Sequence, residues 1–303
     1  MAPARPPALD VRCPPLILIG MHRSGTTMVA SMLAELGLFL GASLDANHES
    51  YFFMQLNRWM LATAGARWDS PGNFGYVAGD PALRLLTARY LALSLDAPRV
   101  ARYLGRPLYR RWRTPRALPN PWGWKDPRTT FTLPVWLDLF PEARLVHVYR
   151  HGVDVASSLR AAQGPRAEAI AASAARFERR RPLYRFRPMR SGFALWPRAG
   201  TLEGCFSLWE EYMARARAHA AALGERAIEV CFETFLAAPE RELERVARFA
   251  GLPAEEGRMA EVARRARPDR ALAYRRDAEL LAFAASVDER LARFDYRAAP
   301  AAG

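Results

Sequence analysis

The sequence predicts an α/β protein built on a mostly parallel β-sheet, with helices on both faces of the sheet and a helical C-terminal segment. Short apolar or β-branched runs, typical of buried strands, occur at residues 16–19, 144–149 and 227–231. A segment with helical apolar spacing follows each run. Strands that alternate with helices favour a parallel sheet that is covered by those helices.

The remaining elements are predicted from apolar spacing and from residues that begin or end helices. Helices are expected at 26–36, 48–61, 81–104, 127–140, 152–160, 203–222, 239–249 and 256–295. Gly37 ends the first of these helices, and Asn47 is expected to cap the second. A basic, proline-containing connector at 106–121 precedes a short strand at 122–124, which ends at Lys125.

Composition indicates a globular chain of ordinary size. Of its 303 residues, 50% are hydrophobic and 25% are charged. The absence of a repeat or of a clear linker favours one domain over residues 15–296, with disordered tails at 1–14 and 297–303. Residues 161–200 are interpreted as an irregular, arginine-rich insert or lid. Seven of its arginines lie between residues 176 and 190, namely Arg176, Arg179, Arg180, Arg181, Arg185, Arg187 and Arg190.

Net charge and cysteine content narrow the class of protein only partly. The formal net charge of +13 favours anionic partners, but nucleic acid, a membrane surface, a phosphorylated or sulfated cofactor and an acidic glycan all remain compatible. Cys13, Cys205 and Cys231 are isolated, which argues against a secreted disulfide scaffold. The apolar run near the N-terminus is too short for a signal peptide or a membrane span, so a cytoplasmic protein is expected.

The most specific motif lies at residues 16–27. An apolar strand leads to Gly20, four further residues, Gly25 and a helix that opens with Thr26. In this context, backbone amides and the helix N-terminus hold an anion. A lysine follows the second glycine in ATP-binding loops, whereas here the nearest cation is Arg23. The loop is expected to hold a phosphate-bearing donor other than ATP; a tight turn that binds nothing is the alternative.

A second cation stands at the end of the strand predicted at 144–149. In P-loop NTPases this position often holds an aspartate for Mg²⁺, whereas here it is Arg150. Ser158 follows eight residues later, about two helical turns along, so both side chains can face one phosphate if the strand end lies alongside the helix. This pair suits a second phosphate bound without a metal. The alternative is a surface ion pair between Arg150 and Asp154.

These motifs, in this order, resemble those of sulfotransferases that use 3′-phosphoadenosine 5′-phosphosulfate (PAPS). The first loop resembles the 5′-phosphosulfate loop of that family, and Arg150 with Ser158 matches its 3′-phosphate motif. Residues 122–128 resemble the Lys-Asp-Pro region of the bacterial and tyrosylprotein branches. Residues 228–251 resemble the segment that usually contains Tyr-Glu.

The resemblance implies a P-loop-type sheet and transfer of a sulfuryl group from PAPS, which leaves adenosine 3′,5′-bisphosphate as product, with no metal. It implies that Arg23 and Lys125 approach the sulfuryl group and the leaving phosphate from two sides. The implied donor-binding residues are His22, Arg23, Ser24, Gly25, Thr26, Thr27, Arg150 and Ser158.

The proton acceptor is assigned from family resemblance and placement. Transfer to a hydroxyl needs a group that accepts its proton. The tyrosylprotein and several bacterial branches use a glutamate after the first helix, which corresponds to Glu49, eight residues before Asn57. His48 is the alternative, either as base or as a group that orients the acceptor. A third interpretation places Glu49 simply in the first turn of a helix, where a carboxylate is favoured.

The acceptor is expected to carry a hydroxyl or an amine on a glycan, lipid, metabolite or peptide, and no nucleic acid partner is expected. One alternative is a P-loop nucleotide or small-molecule kinase, which needs a lysine at position 26 and a metal-binding aspartate. Another is a non-catalytic nucleotide-binding protein, which has no need of Lys125 beside a carboxylate. Lys125 is the only lysine among 44 basic residues, which favours a required point charge over chance survival in an exposed loop.

Overall fold

The computed structural model describes residues 8–164, 166–189, 196–253 and 256–296. Four parallel strands form one sheet in the order β2-β1-β3-β4. The strands are β1 (Leu16–Ile19), β2 (Gly123–Lys125), β3 (Arg144–Tyr149) and β4 (Ala227–Cys231). The parallel sheet and its flanking helices confirm the predicted fold class.

Helices occupy most of the remaining described residues. In chain order they are α1 (Thr26–Glu35), α2 (Tyr51–Thr63), α3 (Phe74–Gly79), α4 (Pro81–Asp96), α5 (Ala101–Trp112), α6 (Thr129–Leu139), α7 (Gly152–Ala162), α8 (Arg166–Tyr184), α9 (Leu202–Leu223), α10 (Phe232–Ala237), α11 (Pro239–Ala250), α12 (Glu256–Ala263), α13 (Ala278–Ser286) and α14 (Asp288–Ala292). No helix in the described residues is both long enough and apolar enough to cross a membrane.

The chain divides into two compact units, and the first contains the entire sheet. This unit comprises residues up to 151 together with 211–273. Its core includes the apolar side chains of β1 and β3, which pack with the inner faces of α1 and α11. Every strand residue of β1 is buried, as expected for a central strand covered on both faces.

The second unit comprises residues 152–210 and the chain from 274 onward. Its core is aromatic: the ring centroid of Phe206 lies 5.7 Å from that of Phe283, and the centroid of Trp209 lies 5.1 Å from that of Phe294. Arg290 forms ion pairs with Glu203 and Glu210 in this unit.

The sheet topology brings the candidate residues to one edge. β1 lies between β2 and β3, and β4 pairs with the other side of β3. Because all four strands are parallel, their carboxyl ends lie at the same edge. The residues that directly follow the strands there are Gly20, Asp126, Arg150 and Phe232. Ligands of open parallel sheets bind at this edge.

Three helix predictions were wrong. The helix predicted at 256–295 is interrupted between Ala263 and Ala278, a stretch that contains Pro268 and two short 3-10 turns. The helix predicted at 48–61 begins only at Tyr51, with Ser50 rather than Asn47 as its N-cap, because His48 has a left-handed φ of 57°. The helix predicted at 81–104 is broken after Asp96, where Pro98 has no amide hydrogen to continue the helix.

Two predictions of irregular chain were also wrong. The connector predicted at 106–121 is partly helical, since α5 continues to Trp112 across a kink at Gly105. Much of the region 161–200 is helical in α8, on which Arg176, Arg179, Arg180 and Arg181 are exposed. Charge runs such as these are compatible with a helix when solvent screens them.

The domain prediction stays a prediction. Residues 1–7 and 297–303, which include much of both predicted tails, lie outside the described residues, as does Arg190. Within the predicted N-terminal tail, the amide of Leu9 donates to the carbonyl oxygen of Leu139, and the amide of Arg12 donates to that of Arg116. A role of 161–200 as a lid likewise stays a prediction.

Candidate active site

The loop at residues 20–25, predicted to bind phosphate and called the phosphate loop below, requires glycine at both ends. Gly20 has a φ of 142°, and a Cβ there would lie 2.1 Å from the carbonyl oxygen of Val148. Gly25 has a φ of 90°, and its Cβ would lie 2.3 Å from the ring of Phe232. Side chains at these positions would therefore suffer both backbone strain and overlap.

The N-terminus of α1 follows this loop directly and suits an anion. No side chain caps the helix, and its first turn contains no acidic residue. The first amides of a helix point outward and carry the positive end of its dipole. Thr26 and Ser24 are buried at this turn, while Arg23 is exposed beside it. The predicted phosphate-binding residues 22–27 are therefore together at the start of α1.

His22 adds a neutral imidazole to the loop. Its ring packs edge-on against Trp68, with 5.1 Å between centroids, and its buried Nε2 has no hydrogen-bond partner in the described residues. Burial, and then the positive charges of Arg128, Lys125 and Arg23, lower the pKa of His22 well below its usual range. The ring is thus uncharged at neutral pH and has one polar atom unsatisfied.

Lys125 connects the phosphate loop side of the site to the segment that precedes α2. Its Nζ donates to Oε1 of Glu49 at 3.0 Å, to the carbonyl oxygen of Asn47 at 3.0 Å and to Oγ1 of Thr27 at 3.4 Å. An ammonium group has three protons to donate, and each has an acceptor here. Lys125 is only 2% exposed, so its interpretation as a chance survivor in an exposed loop is wrong.

A tight turn presents Glu49 to this lysine. Asp45 Oδ1 accepts hydrogen bonds from the amides of Asn47 and Glu49, both at 2.8 Å, as aspartate does when it stabilises a turn. The left-handed backbone of His48 completes the reversal. Glu49 therefore lies before α2 rather than in its first turn, and the helix-dipole interpretation is wrong. The imidazole of His48 has a buried Nδ1 without a partner in the described residues.

Arg128 is a site residue that the sequence analysis missed. Its Nη1 donates to Glu49 Oε2 at 2.9 Å and to Asp126 Oδ1 at 2.8 Å. Glu49 is 3% exposed, and each of its oxygens accepts from a different cation. Burial alone would lower the pKa of Arg128, but Asp126 and Glu49 raise it, so the guanidinium remains charged.

Asn57 anchors the other side of Asp126. Its Nδ2 donates to Asp126 Oδ2 at 2.8 Å and to Thr129 Oγ1 at 2.9 Å, while its Oδ1 accepts from Thr132 and Trp136. The Asn57 amide is therefore fully hydrogen-bonded in a buried position. A local signal existed for part of this arrangement, because an aspartate just before a helix commonly accepts from its first amides, and Asp126 accepts from the amide of Arg128.

Arg150 lies one aromatic ring away from the phosphate loop. Its guanidinium carbon is 4.8 Å from the ring centroid of Phe232, the ring that fills the space beside Gly25. The same guanidinium donates to the carbonyl oxygen of Arg270 at 2.7 Å. In the first unit, Arg150 and the phosphate loop thus both pack against Phe232.

The other half of the predicted second phosphate motif belongs to the second unit. Ser158 is half-buried on α7. Asp154, on the same helix, is buried, and its Oδ1 accepts from the amide of Tyr274 at 2.8 Å. The alternative prediction placed Asp154 on the surface, and this placement is therefore wrong. In the described residues, no group of His, Cys, Asp and Glu side chains is arranged to hold a metal ion.

The first unit thus contains an uncapped helix N-terminus, the cations Arg23, Lys125 and Arg150, and the buried carboxylate of Glu49 bonded to Lys125. The cations and amides are all hydrogen-bond donors, which suits a ligand with several anionic oxygens. Beside the donors, Glu49 is the only carboxylate bonded to Lys125 in the described residues. Such an arrangement can hold a polyanion and accept a proton next to it.

Comparison with solved structures finds several sulfotransferases. A sulfotransferase from Alicyclobacillus acidocaldarius is 17% identical, with 94% of this chain and 96% of that chain covered, at a TM-score of 0.47. The sulfotransferase domain of the Synechococcus PCC 7002 olefin synthase is 17% identical over 88% of this chain and 84% of that chain, at a TM-score of 0.43. Sulfotransferase STF9 from Mycobacterium avium is 17% identical, with 93% of this chain and 77% of that chain covered, at a TM-score of 0.43.

Comparison with curated protein sequences finds no match. The sequence profile of the Sulfotransferase family, in contrast, matches residues 14–256, which include the sheet, the phosphate loop and the Glu49–Lys125–Arg128 cluster. Because this match extends over most of the chain, the protein belongs to the Sulfotransferase family.

Proposed function

We propose that this protein transfers the sulfuryl group of PAPS to a hydroxyl or amine of an acceptor, which is a glycan, lipid, metabolite or peptide. The observation that carries the proposal is the buried Glu49–Lys125 pair at the mouth of an uncapped, lysine-free phosphate loop. A loop that only bound a nucleotide would not need a buried carboxylate beside its cation.

The residues present fit such a donor. The uncapped amides of α1 and the phosphate loop suit the 5′-phosphosulfate end, and the unsatisfied Nε2 of His22 can donate one more hydrogen bond. Arg150, on the far side of Phe232, suits the 3′-phosphate. The assignment of Ser158 to that phosphate stays a prediction from the sequence. When bound, PAPS supplies an activated sulfuryl group and a leaving nucleotide, adenosine 3′,5′-bisphosphate.

The chain's own groups then divide the work of in-line transfer. Arg23 and Lys125 neutralise the charge that develops on the leaving phosphate as its bond to sulfur breaks. Glu49 accepts the proton of the acceptor oxygen as that oxygen forms its bond to sulfur. Arg128 holds the carboxylate by its second oxygen and so fixes its orientation. His48, whose Nδ1 is buried and unsatisfied, is the second candidate for the proton acceptor.

The test first compares the binding of two nucleotides and then measures sulfuryl transfer to an acceptor. Calorimetry should show saturable binding of adenosine 3′,5′-bisphosphate that exceeds ATP binding and is unchanged by a chelator. Incubation with radiolabelled PAPS and fractionated lysate should then label an acceptor. Metal-dependent ATP binding in place of this pattern would favour the kinase alternative. Nucleotide binding with no labelled product in any fraction would favour a non-catalytic nucleotide-binding protein.

The proton acceptor is tested with Glu49→Gln. The variant should bind adenosine 3′,5′-bisphosphate like the wild type, since glutamine keeps the shape of the side chain, but its turnover should fall by a factor of roughly 10² to 10⁴. His48→Gln is the matched control from the same turn. If Glu49→Gln turns over normally and His48→Gln does not, the base is His48.

A further inference from the structure

The first unit contains a second concavity, which the proposed function does not use. It has a volume of about 420 Å³ and lies between the C-terminal end of α1, the last turn of α5 and residues 118–120. α1 begins at the phosphate loop and ends beside this cavity, and the nearby Phe39 pairs with Trp122, the residue before β2. The cavity is therefore at the opposite edge of the sheet from the candidate active site.

The cavity wall is apolar with few polar groups. Leu38 and Leu118 are buried in it, and Leu108 is half-buried. The polar side chains that reach the lining are those of Arg111 and Asn120. Its volume is in the range of about 300–1,000 Å³ that is usual for small-molecule sites, which are also mostly apolar with a few polar groups.

Arginines are concentrated in the segment that borders the cavity, and one of them, Arg116, is paired with Asp96. The chain has seven arginines and no acidic residue between Asp96 and Asp126. The guanidinium carbon of Arg111 lies 4.8 Å from the ring centroid of Trp112, and that of Arg12 lies 5.7 Å from the same ring. Neither arginine forms an ion pair with a carboxylate in the described part of the chain.

Helix stabilisation does not account for both arginines. Arg111 is in the last turn of α5, where a cation is favoured by the helix dipole. Arg12 comes from a different segment, before β1, and yet its guanidinium lies against the same indole ring. Two cations from separate parts of the chain thus converge beside one apolar cavity.

We propose that this cavity binds a small amphipathic anion, with an apolar chain or ring inside and a carboxylate, sulfate or phosphate at Arg111 and Arg12. The apolar body gains free energy by leaving water, at about 25 cal/mol per Å² of buried apolar area. The anionic head gains charge-assisted, bidentate hydrogen bonds to guanidinium groups. This binding is independent of the proposed sulfuryl transfer, because the cavity and the phosphate loop are at opposite edges of the sheet.

The test is calorimetry of the full-length protein with decanoate, kept below its micelle concentration, and with decyltrimethylammonium, which has the same chain but a positive head. We expect one decanoate per chain and much weaker binding of the cation. Arg111→Gln should weaken decanoate binding at least tenfold. Arg110→Gln, an exposed arginine one residue away that is not part of the lining, should leave it unchanged.

A second variant addresses the cavity itself. Ala34→Leu adds a side chain into the lining and should also abolish decanoate binding, with folding checked by thermal unfolding. The proposal is overturned if decanoate does not saturate, if the cationic analogue binds equally well, or if Arg110→Gln and Arg111→Gln behave alike. Competition between decanoate and adenosine 3′,5′-bisphosphate would also overturn it, because it would place decanoate at the phosphate loop. Failure here leaves nucleotide binding intact, so it is distinguishable from failure of the proposed function.

Discussion

At the scale of single residues, the site depends on buried charges that satisfy one another. Lys125 and Arg128 each donate to a different oxygen of Glu49, and Asp126 balances the second charge of the cluster. Burial raises the pKa of Asp126, against the lowering effect of Arg128. Removing one partner of such a cluster leaves an uncompensated buried charge, which costs about 3–5 kcal/mol of stability.

We therefore expect Arg128→Gln to affect both stability and turnover. The carboxylate of Glu49 would keep only Lys125 as its cationic partner, so the variant should lose roughly 3–5 kcal/mol of unfolding free energy. Its kcat should fall at least tenfold, while its affinity for adenosine 3′,5′-bisphosphate stays near wild type. Urea unfolding, steady-state kinetics and calorimetry measure these three quantities.

Two controls separate positioning from general destabilisation. Arg128→Lys restores one charge and should recover part of the kcat, although lysine cannot form both of the arginine's hydrogen bonds in the same geometry. Arg89→Gln removes an exposed charge on α4 and should change none of the three quantities. If Arg128→Gln lowers stability but leaves kcat unchanged, Arg128 has no positioning role.

At the scale of elements, the strand–loop–helix unit of β1 and α1 is tied to the segment after β4. The ring of Phe232 occupies the space that a side chain at position 25 would need, and it also supports Arg150. The loop therefore cannot change its shape without moving a residue from another strand end. This coupling exists because parallel strands end at one edge.

Gly25→Ala tests this coupling. A residue with a left-handed φ costs about 1–2 kcal/mol when it carries a Cβ, and here the Cβ also overlaps the ring of Phe232. We expect lower stability and at least a tenfold loss of affinity for adenosine 3′,5′-bisphosphate. Gly65→Ala is the matched control, since Gly65 has a φ of 62° but no atom within 4 Å of its added Cβ. Gly65→Ala should lose stability but keep the wild-type affinity for adenosine 3′,5′-bisphosphate. If Gly25→Ala also binds this nucleotide as tightly as the wild type, the coupling is contradicted.

At the scale of the whole molecule, buried histidines make stability depend on pH. Burial lowers the pKa of His219 to about 4, and its Nε2 lies 2.9 Å from the carbonyl oxygen of Thr130, to which the neutral ring can donate. Burial also lowers the pKa of His147 and of His22. In the unfolded chain these rings titrate near pH 6.5. Below that pH the unfolded state therefore binds more protons than the folded state, and stability rises with pH.

The free energy of unfolding should accordingly be constant above about pH 6.5 and fall as the pH decreases toward 4. His219 alone should contribute about 3 kcal/mol of this loss, because its pKa falls from 6.5 to about 4 on folding. Urea unfolding at several pH values measures it, with His219→Gln as the comparison, because glutamine can donate to Thr130 and does not titrate. The variant should lose less stability on acidification than the wild type; parallel curves would show that His219 does not contribute.

The sequence by itself determined the fold class, the four strands and the glycine-bounded loop before α1, whose binding of phosphate stays a prediction. These follow from local pattern: apolar runs predict buried strands, and two glycines at a strand-to-helix junction predict an anion-binding turn. It also pointed to Lys125 and Glu49 individually, by residue type and by resemblance. The four strands and the fold class were confirmed in the structure, and their parallel order brings the candidate residues to one edge.

Only the tertiary structure decided how these residues are connected. The turn that presents Glu49 depends on the hydrogen bond that Asp45 Oδ1 accepts from the amide of Glu49 and on the left-handed backbone of His48. Apolar spacing had predicted that a helix begins at His48. Asn57 contacts Asp126 across 69 positions of the chain, and Arg128 contacts Glu49 across 79. Hydrogen bonds and ion pairs between distant segments leave no periodic signal in the chain, because they depend on where folding brings those segments together.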